Sequence, residues 1–313
     1  MGIRGVCGKE IFDLGHNCIL GFAFASWGRE GYHLWLINGE KFHERHKTET
    51  YPKVWRSRFW LHVVADGLNA VEQVLSGSTL DYAIIDSEHG SRDRTEIQHL
   101  CGMLRRADVT PVVRVPIPKS EWVAMALDAG TAGVLVPYCE TVEEVQAVVA
   151  TVKWHPLKGE YLRRAVEENK LPSPETRKYL QNRRKDNFVI IGIESEPAYN
   201  NLDAILDVGG IDGVFIGPND MSTSLGIPDD YSSRKYLRVV EDIIKRCAAR
   251  KIPVMVHQQT IETSTKAIKL GARFVLHSTD GRMLQRIIQQ EMNQLRKVVG
   301  ATAAKTKDTV ETV

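Results

Sequence analysis

Short runs of apolar, largely β-branched residues recur along the chain at regular intervals. They are ILGFAFA (19–25), YAIID (82–86), PVVRV (111–115), GVLVP (133–137), FVIIGIE (188–194), GVFIG (213–217), IPVMVH (252–257) and RFVLHST (273–279). Each is too short for a helix and too uniformly apolar for a half-exposed strand, so each predicts a strand buried on both faces. Between most of them lie segments of helical period, such as RTEIQHLCGMLRRA, SEWVAMALDAG, TVEEVQAVVATV, PAYNNLDAILDV and TIETSTKAIKLGA. Gly133, Gly213 and Pro253 stand at helix-to-strand joints. Eight strands alternating with helices predict a (β/α)₈ TIM barrel. No GxGxxG follows the first run, which weakens the alternative of an open dinucleotide-binding sheet.

Two regions break this rhythm. Residues 27–64 hold four of the six tryptophans and four of the ten histidines without helical or strand period. The histidines show no recurring ligand spacing, so the stretch predicts an irregular insertion in the first βα unit. Residues 156–187 are densely charged and predict one or two exposed helices, a solvated or subunit-contacting face more readily than an anion site. The expected organisation is one barrel domain over 1–299 and a polar, disordered tail over 300–313.

Composition narrows the function classes. The hydrophobic share of 43% and charged share of 26% are ordinary for a globular protein. A formal net charge of +2 gives no electrostatic case for nucleic acid or an acidic membrane. No apolar run approaches the ~18 residues of a membrane span. Cys7, Cys18, Cys101, Cys139 and Cys247 form no CxxC pair and read as reduced thiols, so the expected location is cytoplasmic.

In a parallel α/β barrel, functional groups sit just past the strand C-termini. That rule collects Asp86, Glu88 and His89 from IIDSEHG, Arg114 from VVRVP, then Glu194, Asp220, His257 and Ser278 to Asp280. Taken singly, the histidines and the arginine have bland structural readings; their convergence on one rim favours a shared site. Glu194 and Asp220 are hard oxygen donors suited to Mg²⁺, Mn²⁺ or Co²⁺. A cation there could bind the carboxylate and keto oxygens of a 2-oxo acid. Arg114 could stabilise the keto oxygen as it becomes an enolate, and His89 could move protons near neutral pH. Asp128, in LDAG, reads on its own as a surface acid at a helix end.

Together DSEHG, VVRVP, LDAGTAGVLVP, IES and DGVFIGPNDMSTSLGIP resemble the HpcH/HpaI aldolase/citrate lyase family, over roughly residues 65–299 and in the same order. The resemblance implies a barrel of the phosphoenolpyruvate/pyruvate type. It also implies a metal-dependent aldolase that reversibly cleaves a 4-hydroxy-2-oxo acid to pyruvate and an aldehyde through a pyruvate enolate; oxaloacetate decarboxylation would share that enolate. Residue by residue, it implies Glu194 and Asp220 as metal ligands, Arg114 as enolate stabiliser, and a His89–Asp128 pair for proton transfer. The backbone of Gly217, Pro218, Asn219 and Asp220 would hold the pyruvate carboxylate, and the assembly would be a hexamer whose subunits exchange their last helix. The chain departs from the family pattern at Gly192, where a glutamine is common, at Asn219, where histidine is frequent in this branch, and across 27–64. The remaining readings are a citrate-lyase-like enzyme acting on an acyl-CoA and a non-catalytic barrel damaged by the insertion.

Overall fold

The computed structural model describes residues 80–90 and 92–300, with the backbone of two further strands, 24–28 and 31–35. The chain divides into two compact units, one holding those two strands and the other a parallel sheet. In the first, β1 (Phe24–Gly28) and β2 (Gly31–Trp35) pair antiparallel, with Phe24 opposite Trp35 and Trp27 opposite Tyr32. This corrects the expected organisation. The apolar run at 19–25 predicts a barrel strand and 27–64 an irregular stretch, yet 24–28 pairs locally with 31–35. Gly28 and Gly31 bracket a two-residue connection, a hairpin signal that a search for buried runs passes over. Residues 19–23, the rest of the expected insertion, the expected helix ADGLNAVEQVLSG and the tail from 301 lie outside the described residues.

The other seven expected strands are all present. They are β3 (Tyr82–Asp86), β4 (Thr110–Arg114), β5 (Gly133–Val136), β6 (Phe188–Gly192), β7 (Gly213–Ile216), β8 (Val254–Gln258) and β9 (Phe274–His277). They form one all-parallel sheet in chain order. The sheet curls into a half-barrel whose edge strands are bridged by a side chain: the Tyr82 hydroxyl on β3 donates to the Val275 carbonyl on β9 at 2.9 Å, and its ring lies 6.3 Å from that of Phe274. This is a TIM-barrel-like α/β architecture with seven described strands.

Alternation along the strands makes two cores. Val112, Leu135, Ile190, Phe215 and Met255 fill the inside of the curl, joined by Tyr82, Ile84, Phe188, Phe274 and Leu276. Their neighbours, including Val113, Val134, Val189, Val214 and Val256, face the outer helices. Burial on both faces is why the strands read as unbroken apolar runs. Truncating Phe215 to alanine would cost about 3–5 kcal/mol.

The helices are α1 (Arg94–Arg106), α2 (Ser120–Asp128), α3 (Val142–Trp154), α4 (Gly159–Glu167), α5 (Pro174–Arg184), α6 (Glu196–Asn200), α7 (Leu202–Leu206), α8 (Pro218–Ser224), α9 (Arg234–Ala249), α10 (Ile261–Leu270) and α11 (Asp280–Val298). Asp93 caps α1, which buries Ile97, Cys101 and Leu104 along one face. Thr141 and Glu144 form a capping box on α3. The charged stretch 156–187 carries α4 and α5, and α4 is laced by Arg163 with Glu160 and Glu167. The expected single helix after Glu194 is two short ones, broken at Asn201. Among the described residues, no helix is long and apolar enough to cross a membrane.

Candidate active site

The C-terminal ends of β3, β4, β6 and β7 bring most of the expected residues to one rim. Asp86 ends β3 and Arg114 ends β4, and the two are register partners in the parallel ladder. The guanidinium donates from Nε to Asp86 Oδ1 at 2.9 Å and from Nη2 to Oδ2 at 2.5 Å. A third contact runs from Nη1 to Glu88 Oε2 at 2.8 Å. Arg114 is thus clamped by two acids, and two of its five N–H donors are left for a ligand. Burial tends to raise the Asp86 carboxyl, but the Arg114 bonds, with the Glu88 and His89 backbone N–H groups, outweigh it and hold the group below its ordinary range.

Glu194, just past β6, is 1% exposed. Its Oε2 accepts the Tyr138 backbone N–H at 2.7 Å. Burial first, opposed by that bond, and then the negative charges of Asp220 and Glu88, push its carboxyl up to about 8. Two glycines make room for it. A Cβ on Gly192 would stand 2.5 Å from Oε2 and 2.9 Å from Pro137 Cα, and a Cβ on Gly217 would meet Oε1. Gly192, at a position where the family resemblance leads one to expect glutamine, therefore leaves the space that the Glu194 carboxylate fills. Asp220 lies in the first turn of α8, a short helix where a turn was expected. Asn219 beside it is occupied: its Oδ1 accepts from the Tyr231 hydroxyl at 2.6 Å.

The donor set fits a divalent cation. A sealed carboxylate with acids as neighbours is costly unless protonated or met by a cation. Among the described residues no group of three or more His, Cys, Asp or Glu is placed to hold a metal. Two carboxylates leave the remaining positions to water and substrate, as Mg²⁺ commonly requires.

The expected His89–Asp128 pair is not made. His89 sits on the loop after β3, its Nε2 3.7 Å from Glu88 Oε2. Asp128 ends α2, and a helix returning between parallel strands ends at the opposite face of the sheet. There its Oδ1 meets His155 Nε2 at 2.8 Å. Sequence reasoning missed His155, which is 3% exposed and sits after α3 in an unremarkable KWHP. It also gave no role to Glu88 or to the Tyr138 backbone, for which the only signal was position just past a strand.

The site therefore defines an enzyme of TIM-barrel-like fold with a two-carboxylate rim and a clamped arginine. The HpcH/HpaI aldolase/citrate lyase family model matches residues 58–286, and the chain belongs to that family. It is a carbon–carbon lyase. The chain is similar to the 2-keto-3-deoxy-L-rhamnonate aldolase of Salmonella gallinarum, 27% identical over 74% of this chain and 87% of that one. Among solved structures it is similar to the HpcH/HpaI aldolase from Desulfitobacterium hafniense, with a TM-score of 0.62 and 26% identity over 74% of this chain and 88% of that one. Macrophomate synthase shares the fold, with a TM-score of 0.60 at 22% identity over 75% and 82% of the two chains.

Proposed function

We propose that this lyase is a divalent-metal-dependent aldolase, reversibly cleaving a 4-hydroxy-2-oxo acid into pyruvate and an aldehyde. The observation that carries the reading is the sealed Glu194, its carboxyl pushed up to about 8, with Asp220 as its acidic neighbour. Glu194 and Asp220 would hold Mg²⁺, Mn²⁺ or Co²⁺, which when bound supplies Lewis acidity toward the carboxylate and keto oxygens of the substrate. Arg114, fixed by Asp86 and Glu88, offers its free N–H groups to the keto oxygen as that oxygen gains charge. The backbone N–H groups of Gly217, Asn219 and Asp220 at the start of α8, where Pro218 has none to offer, lack intrahelical acceptors and suit the substrate carboxylate. His89 takes the 4-hydroxyl proton in cleavage and returns it in addition. Glu88 is the acid beside it within the chain. The 2-keto-3-deoxy-L-rhamnonate aldolases that the chain is similar to are named for a 2-keto acid, consistent with this class.

The test is pyruvate release from a 4-hydroxy-2-oxo acid, followed by a coupled NADH assay. We expect chelator to abolish release and added Mg²⁺ or Mn²⁺ to restore it. Undiminished release after chelation would count against the proposal.

A further inference from the structure

His257, near the C-terminal end of β8, has no part in the mechanism above. It follows Met255 by two positions and is the register partner of Leu276, and both of those belong to the inner core. Alternation therefore turns His257 to the inside as well, at the C-terminal end where the core opens. Arg114 is near enough for its charge to act on the imidazole.

The imidazole's tautomer follows from its bonds. Nε2 lies 3.2 Å from the Ser278 carbonyl, an acceptor, so Nε2 carries the proton and donates. Gln259 also faces this nitrogen, with its amide nitrogen at 3.3 Å, which would set donor against donor. The amide oxygen of Gln259 is meanwhile buried without a partner. Reversing the amide removes the clash at Nε2: Oε1 then accepts from Nε2–H alongside Ser278. The lone pair of the neutral ring is left on Nδ1. No described residue bonds Nδ1, and Nδ1 is not among the sealed unpartnered atoms. Burial first, and then the charges of Arg114 and Arg282, hold the ring below its ordinary range against the pull of the Ser278 bond. The Ser278 hydroxyl beside it is a further buried polar group without a partner.

We propose that His257 Nδ1 is a specificity-determining acceptor that takes a hydrogen bond from a hydroxyl on the aldehyde portion of the substrate. The proposal rests on the aldolase reading above. Arg114 and the acidic pair engage the oxo-acid end, and His257 selects hydroxylated aldehydes over their deoxy counterparts. A site that hydrogen-bonds a substrate hydroxyl discriminates strongly against the analogue lacking it.

The experiment compares kcat/KM for pyruvate addition to glycolaldehyde and to acetaldehyde, which differ by one hydroxyl. It uses the metal-loaded wild type, His257→Leu and His257→Asn. We expect the wild type to prefer glycolaldehyde and His257→Leu to lose about tenfold of that preference. His257→Asn, whose amide can place an acceptor near the Nδ1 position, should recover part of it. Pyruvate C3–H exchange by the wild type in deuterated water is measured alongside. Exchange without a glycolaldehyde preference, or an equal loss on both aldehydes in both variants, would overturn the role of His257 and leave the aldolase reading standing. Absence of exchange in the wild type would overturn both.

Discussion

Asp86 and Arg114 form a two-point pair across adjacent parallel strands, with Nε to Oδ1 at 2.9 Å and Nη2 to Oδ2 at 2.5 Å. A guanidinium fits such a pair and an ammonium does not. Arg114→Lys should therefore lower kcat/KM for cleavage by about 10²–10³. Asp86→Asn, which loosens the arginine without removing it, should cost less, about tenfold. Steady-state kinetics on the two variants checks this; near-normal rates for Arg114→Lys would exclude it from charge stabilisation.

Gly217 separates packing from ligation. The three atoms nearest a Cβ there all belong to the Glu194 side chain, and the backbone at φ −76° accepts alanine. Gly217→Ala should thus fold normally yet displace the Glu194 carboxylate and weaken Mn²⁺ binding by about tenfold or more. Titration calorimetry with Mn²⁺ reads the affinity, and circular dichroism the fold. Unchanged affinity would argue that the glycine has no role in seating this ligand.

Why some of this is legible in the sequence and some is not has a physical basis. Strands buried on both faces must be apolar throughout, so β3 to β9 announce themselves. The residues just past them, Asp86, Arg114, Glu194 and Asp220, reach one rim because a parallel sheet delivers every strand end to the same edge. The Phe24–Gly28 strand escapes a search for long apolar runs because it pairs locally with Gly31–Trp35 across a two-residue connection. The partner of Asp128 is illegible for another reason: His155 lies 27 positions on, and their meeting depends on how α2 and α3 end at the far face. The clamp of Glu88 on Arg114 likewise depends on loop geometry that carries no periodicity.

The Asp128–His155 contact predicts a pH dependence of stability. Burial, outweighing the Asp128 bond, holds the His155 imidazole below its ordinary value of 6.5. The unfolded chain then takes the proton more readily than the folded one. Its contribution to stability is present above pH 6.5 and is lost as pH falls from there through the lowered folded value. We expect the melting temperature of His155→Gln to fall less than that of the wild type between about pH 7.5 and pH 5.5. Parallel curves would remove His155 from the acid response.

Helix α11 has a regular apolar face but no buried residue: Met283, Leu284, Ile287 and Leu295 are all exposed. Such a face on a 19-residue helix calls for a cover. A second copy of the chain would provide one, and we expect an oligomer larger than a dimer. Ile287→Glu should reduce the mass measured by light scattering at micromolar concentration. A wild-type monomer under those conditions would contradict it.

The most direct test of the central claim, that Glu194 and Asp220 hold a cation that activates pyruvate, is exchange of the pyruvate C3 hydrogens into deuterated water. It requires no knowledge of the aldehyde. Proton NMR should show exchange by the protein with Mg²⁺ or Mn²⁺, almost none after chelation, and a loss of about 10³-fold or more in Glu194→Gln and Asp220→Asn. Full exchange by the chelator-treated protein, or by either variant, would contradict the claim.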